Sequence, residues 1–98
     1  MIRGTTPTLE FTFPFDVSTL SSCYVTFQQN GKTVIEKQLT DGKVDGKKLA
    51  FILSQEDTLK FKVDYIEMQI RCKTFKGEVI ASNIMQTHAE KILKDGVV

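Results

Sequence analysis

The sequence predicts an all-β fold, antiparallel and in two layers, and three observations predict it. First, Ile66-Glu67-Met68-Gln69-Ile70-Arg71-Cys72-Lys73 alternates apolar and polar residues over eight positions without a break. Successive side chains on a strand point to opposite faces, so this segment has one dry face and one wet face; a helix would scatter the same residues around its circumference. Sheets covered on one side only are characteristically antiparallel. Second, shorter runs of similar texture are punctuated by the turn dipeptides Asn30-Gly31, Asp41-Gly42, Asp45-Gly46 and Lys76-Gly77. Third, 98 residues make one domain, 1–98, with room for one core and none for a second lobe across a cleft.

The first strand is expected over Thr8–Phe13, with Leu9, Phe11 and Phe13 on one face and Glu10 and Thr12 on the other. Pro14 removes a ladder donor, so this strand ends there or lies at an edge. Phe15–Leu20 reads as a connection in which Asp16 or Ser18 caps a short helical turn. The second strand is placed at Ser22–Gln28, with Cys23, Val25 and Phe27 inward, and the third at Lys32–Leu39. A plain two-residue Asn30-Gly31 turn would put Glu36 on the dry face. A three-residue loop with Gly31 as a bulge pairs Val25 with Ile35 instead. It gathers Cys23, Val25, Phe27, Ile35 and Leu39 on one side, with only Lys37 misplaced. Because a one-residue slip flips every side chain, the bulged loop is the expectation.

Thr40–Lys47 is turn chemistry with a very short strand at Val44, and the fourth full strand covers Lys48–Leu53. Ser54-Gln55-Glu56-Asp57 starts a helix: Ser54 caps, and the acids favour the positive end of the helix dipole. The product is a single turn near residues 54–59 that crosses between sheets. Lys62–Thr74 forms the next strand, and Glu78–Thr87 the last. Ile80, Ser82 and Ile84 share one face of that last strand and Val79, Ala81 and Met85 the other, which predicts a central position or an interface. The segment 88–98 differs in texture. Ala89, Ile92 and Leu93 have helical spacing, but the stretch is too short for a stable helix. It either packs back onto the sheet or docks on a neighbouring subunit, which makes Ile92, Leu93, Val97 and Val98 the candidate interface residues. Short strands in this number, separated by turn signals, fit an immunoglobulin-like β-sandwich, with a small closed barrel as the alternative.

Chemistry-bearing constellations are missing. The only histidine is His88, in the last segment, so no serine or cysteine has a positioned base. Glu56 and Asp57 diverge on a helical turn and have no accompanying histidine or second acid cluster. There is no Gly-x-Gly-x-x-Gly or P-loop, and the Asp-Gly pairs lack the spacing of a calcium loop. Cys23 and Cys72 fall on dry faces and read as small buried hydrophobes. Parity permits a disulfide between them, which a reducing compartment disfavours. They make no zinc site with one distant histidine. No enzymatic activity, cofactor, metal or small-molecule substrate is therefore expected.

Thirteen basic residues against twelve acidic give a net charge of +1, with the lysines spread along the chain, so no nucleic-acid partner is expected. Met1–Pro7 has no apolar core of signal-peptide length, and no stretch of about twenty apolar residues could cross a membrane. Phe11, Phe13, Phe27 and Phe51 take core parity, whereas Tyr24 and Tyr65 take the exposed one.

The opening TTPTLEFTFPFD, the hairpin YVTFQQNGKTVIEKQL, and the segments LSQEDTLKFK, IEMQIRCKTFKGEVIASNI and ILKDGVV together resemble a family of small proteins. These are encoded by phages and prophages of Firmicutes, usually among virion structural genes. The layout is also similar to the N-terminal immunoglobulin-like domain of phage baseplate upper proteins. This chain stops where those continue into a helix and a receptor-binding region. The resemblance implies a non-enzymatic tail or baseplate-associated protein that binds other phage structural proteins or itself. Such a protein is made in the host cytoplasm and then held in the virion. A cell-surface glycan-binding sandwich, with Asn30, Asp41, Asp45 and Asn83 as polar contacts, is the alternative.

Overall fold

The computed structural model describes all 98 residues. Its strands are β1 (Thr8–Thr12), β2 (Leu20–Gln29), β3 (Lys32–Gln38), β4 (Lys43–Asp45), β5 (Lys48–Ile52), β6 (Tyr65–Thr74), β7 (Val79–Ala81) and β8 (Met85–His88). The one α-helical turn, α1, is Gln55–Leu59. Two antiparallel sheets pack face to face, one in the order β1-β5-β4, the other β3-β2-β6-β7 with β8 also on β6. This is the expected all-β sandwich. In immunoglobulin lettering the sheets read B-E-D and C′-C-F-G, and the A position beside β1 has no strand.

The core is the meeting of the two dry faces. Cys23, Val25, Phe27, Ile35, Ile66, Ile70 and Cys72 come from one sheet, Leu49 and Phe51 from the other, and Val17, Leu53 and Phe61 from the crossings. Phe51 meets Phe11 edge-on at 6.2 Å, and Phe27 meets Phe61 at 6.0 Å. Phe27 and Phe51 are buried, Phe11 and Phe13 half-buried, and both tyrosines exposed. Ser54 caps α1 as expected: its hydroxyl accepts from Asp57 N–H while the Asp57 carboxylate accepts from Ser54 N–H, both at 3.1 Å. Arg3 closes the other end, its guanidinium donating to the carbonyls of Phe61 and Leu59 at 2.5 and 3.1 Å. Asp16 caps the turn Val17–Thr19 by accepting from Ser18 N–H at 2.9 Å, and that bond holds its carboxyl below the usual range.

Two sequence expectations are corrected. The β2–β3 hairpin uses the plain two-residue turn. Gln29 faces Lys32, and Asn30 and Gly31 both take positive φ (52° and 75°), a pair of left-handed conformations that Asn-Gly tolerates. The extra residue sits two positions further on, at Val34, where the register shifts opposite Phe27 and Gln28. The dry face is the expected one, but Phe27, not Val25, faces Ile35, and Val25 faces Lys37. Lys37 does not clash there because its ammonium reaches Asp57 at 2.9 Å.

The last strand is neither continuous nor central. It breaks into β7 and β8, both on the outer edge of β6. Cys72 pairs with Ile80 but Ile66 with Thr87, so the register slips by one residue across Ser82–Ile84. The slip swaps faces. Ile80 points inward and Ile84, 61 % exposed, points out, which is why the run looks apolar on both sides. Ser82 heals the break: its N–H donates to Ile70 O at 2.8 Å and its hydroxyl accepts from Ile70 N–H at 3.0 Å.

The last segment forms no helix, in keeping with its short length. Ala89 is fully buried, and Glu90 exchanges backbone hydrogen bonds with the opening residues, donating to Met1 O at 2.7 Å and accepting from Arg3 N–H at 3.0 Å. Backbone groups committed in this way cannot serve a helical turn.

Candidate interaction surface

A sheet edge is a row of unpaired N–H and C=O groups, and this sandwich has four edges, the last shared by β7 and β8. Two lie on the flank where the chain passes from β3 to β4. β3 carries Lys32, Glu36 and Lys37, and β4 carries Lys43 and Asp45. Charges on an edge deter pairing with another chain.

The opposite flank is different. There β1 and β7 face each other across a groove of about 380 Å³, lined by Phe11, Phe13, Phe15, Ile70, Ile80 and Met85 among others. Phe13 and Phe15 lie 5.4 Å apart on either side of Pro14. The backbone pattern identifies the free groups. Phe13 N–H donates to Lys47 O at 2.8 Å and Leu53 N–H to Pro7 O at 3.0 Å, so the odd positions of β1 face β5. Thr8, Glu10 and Thr12 then turn their backbone groups to the open edge. Thr74 N–H donates to Glu78 O at 2.9 Å and Ser82 N–H to Ile70 O at 2.8 Å, so the even positions face β6 and Val79 and Ala81 turn outward. β7 has no charge and no proline, and Phe75 (76 % exposed) and Val79 (58 %) extend the apolar surface beside it.

The residues named from the sequence as interface candidates divide. Ile92 turns in over Gly4: a Cβ there would lie 2.8 Å from Ile92 Cδ1. Leu93 is 95 % exposed, Val97 57 % and Val98 84 %. The backbone of Val98 is held by the Gln55 side chain through two bonds, at 2.8 and 3.2 Å. The glycan candidates Asn30, Asp41, Asp45 and Asn83 lie in four separate stretches of the chain, and the Asp41 carboxylate already accepts from Gln38 N–H at 2.8 Å. His88 stacks edge-on against Tyr65 at 5.1 Å, with Glu90 4.0 Å from its Nδ1.

Asp57, one of the acids weighed for chemistry, is committed to structure. Burial works against its charge, but the Lys37 ammonium and the Ser54 N–H outweigh it and hold the carboxyl below its usual value. No group of three or more His, Cys, Asp or Glu side chains converges to hold a metal ion, and no helix is long and apolar enough to cross a membrane. Ile80 and Met85 belong to the two-faced run that the sequence offered as central or as an interface, whereas Phe15 was not legible as a site residue. The Phe-Pro-Phe run at 13–15 was the available signal, because the central proline blocks continued pairing between two large apolar side chains.

Fold and surface together define an all-β sandwich with one charged flank and, on the other, a mostly apolar groove with Glu10 in its lining. Comparisons with family models, with curated proteins and with solved structures found no match.

Proposed function

We propose that this chain is a non-enzymatic assembly module of a phage particle, tail- or baseplate-associated, working through protein–protein contacts. The sequence resemblance supports the phage setting. The observation that carries the mechanism is the groove between β1 and β7, where the A position of the sandwich is vacant and two strand edges flank half-buried aromatics. An extended segment of a partner structural protein, apolar at alternate positions, would lie there as an added strand. Its backbone would bond to Thr8, Glu10 and Thr12, and its alternate side chains would fill the groove. Leu93, Val97 and Val98 offer a second, smaller contact.

The test is incorporation. Particles are induced from the strain carrying the gene, purified and analysed by mass spectrometry, with wild type and Ile80→Lys expressed in parallel. The wild-type chain is expected in the particles. I80K is expected to fold, judged by circular dichroism, and to be lost from them by about tenfold or more, the scale of one buried apolar anchor. Absence of the wild-type chain, or equal incorporation of folded I80K, overturns the proposal.

A further inference from the structure

We infer that Cys23 and Cys72 are a disulfide-forming pair that fastens β2 to β6 across the middle of the larger sheet. The two residues are direct partners in the antiparallel register. Which kind of partners follows from the backbone. The even positions of β6 turn their N–H and C=O toward β7 and β8, since Ile70 O accepts from Ser82 and Thr74 N–H donates to Glu78. Cys72 is therefore a non-hydrogen-bonded partner of Cys23, the class of antiparallel pair whose Cα atoms approach to about 4.5 Å. That separation lies inside the range a disulfide spans, and the wider hydrogen-bonded pairs hold their side chains further apart.

Both side chains point into the core, 1 % and 4 % exposed. The Cys72 thiol donates to the Cys23 sulfur at 3.0 Å, so the two sulfurs are already in contact. Val25 and Ile70, the next pair on the same face, wall the site on one side. The pairing differs from the inter-sheet B–F bridge of antibody domains, because here both cysteines belong to one sheet, in the C and F positions.

Burial pushes both thiols up, so the folded protein holds them neutral and slow toward external oxidants. The bond forms by exchange while the chain is open. One cysteine thiolate attacks oxidised glutathione, giving a mixed disulfide and expelling one glutathione thiolate. The second cysteine thiolate then displaces the other glutathione. The protein gives up two electrons and two protons, and glutathione disulfide becomes two glutathione thiols.

The experiment refolds the full chain in a buffer of oxidised and reduced glutathione, with a dithiothreitol-refolded sample alongside. The glutathione sample is expected to be lighter by two hydrogen atoms and closed to iodoacetamide under denaturing conditions. Trypsin should release the Cys23 peptide joined to Cys72-Lys73, and the thermal midpoint should exceed that of the reduced sample. C72A treated identically should show no such mass loss. Two alkylatable thiols in the glutathione-refolded wild type, or glutathione retained on either cysteine, would overturn the inference.

Discussion

The two flanks of the sandwich solve the same problem in opposite ways. On the β3–β4 flank the chain itself crosses between sheets, the edges carry charges, and Lys37 ties β3 to α1 through Asp57 at 2.9 Å. Gly42 sits against the core there: an added Cβ would meet Leu49 Cδ1 at 2.7 Å and Phe51 Cε1 at 2.9 Å. On the β1–β7 flank the groove between the sheets is lined by half-buried aromatics, and Gly77 at the β6–β7 turn has nothing within 4 Å of an added Cβ. Apolar side chains thus have two environments in one small domain. Those on the closed flank are consumed by folding, and those on the open flank remain half-exposed.

Mutagenesis can break this contrast. Phe51→Ala, between the flanks and fully buried, sets the scale, with an expected loss of about 3–5 kcal/mol in urea denaturation. Gly42→Ala overpacks the closed flank and should cost about 1–3 kcal/mol. If it were neutral, that flank would not be as full as its geometry indicates.

Lys37→Ala should cost about 1 kcal/mol at neutral pH, the upper end for a pair that solvent still reaches. Its pH dependence has a definite sign. The Asp57 carboxyl is held below its ordinary 3.8 in the folded state. Its contribution is therefore complete above that value and fades as pH falls through the lower folded one. The gap between wild type and K37A should narrow between neutral pH and about pH 2.5; a gap that widened would show that the pair is not the source.

Phe15→Ala, on the open flank, should cost less than about 1 kcal/mol, because the ring is only partly removed from water. A loss on the scale of F51A would mean that the groove belongs to the core. The smallest effect is local. Amide exchange at Val79 and Ala81, whose N–H groups face outward, should be faster than at Ile80, whose N–H faces β6.

Much of this was legible in the sequence, and what was not has a common cause. Period-two patterning placed β2, β5 and β6 and their inward residues, since one buried face fixes parity. Ser54 and the acids after it announced α1, because a cap is a local matter of four residues. The misreadings fall where backbone geometry breaks the period. The slip at Ser82–Ile84 made an edge strand look two-faced, and the extra residue at Val34 kept the parity of β3 while displacing its partners. Lys37 looked misplaced because its acid partner is twenty positions away in sequence. The groove was hidden because it is assembled from β1, the Phe13–Phe15 corner, β6 and the β7–β8 edge, which only the fold brings together.

The slip at Ser82 also limits what this molecule can become. A long flat apolar border invites further copies to stack without end, the route to insoluble fibres. Here the border changes phase after the three residues of β7, so a straight visiting strand that matches the first half meets the second half out of step. Any strand added to this border could match it over a short run only. Deleting Asn83 to bring the halves into phase would trade that restraint for a continuous template and a chain prone to precipitate.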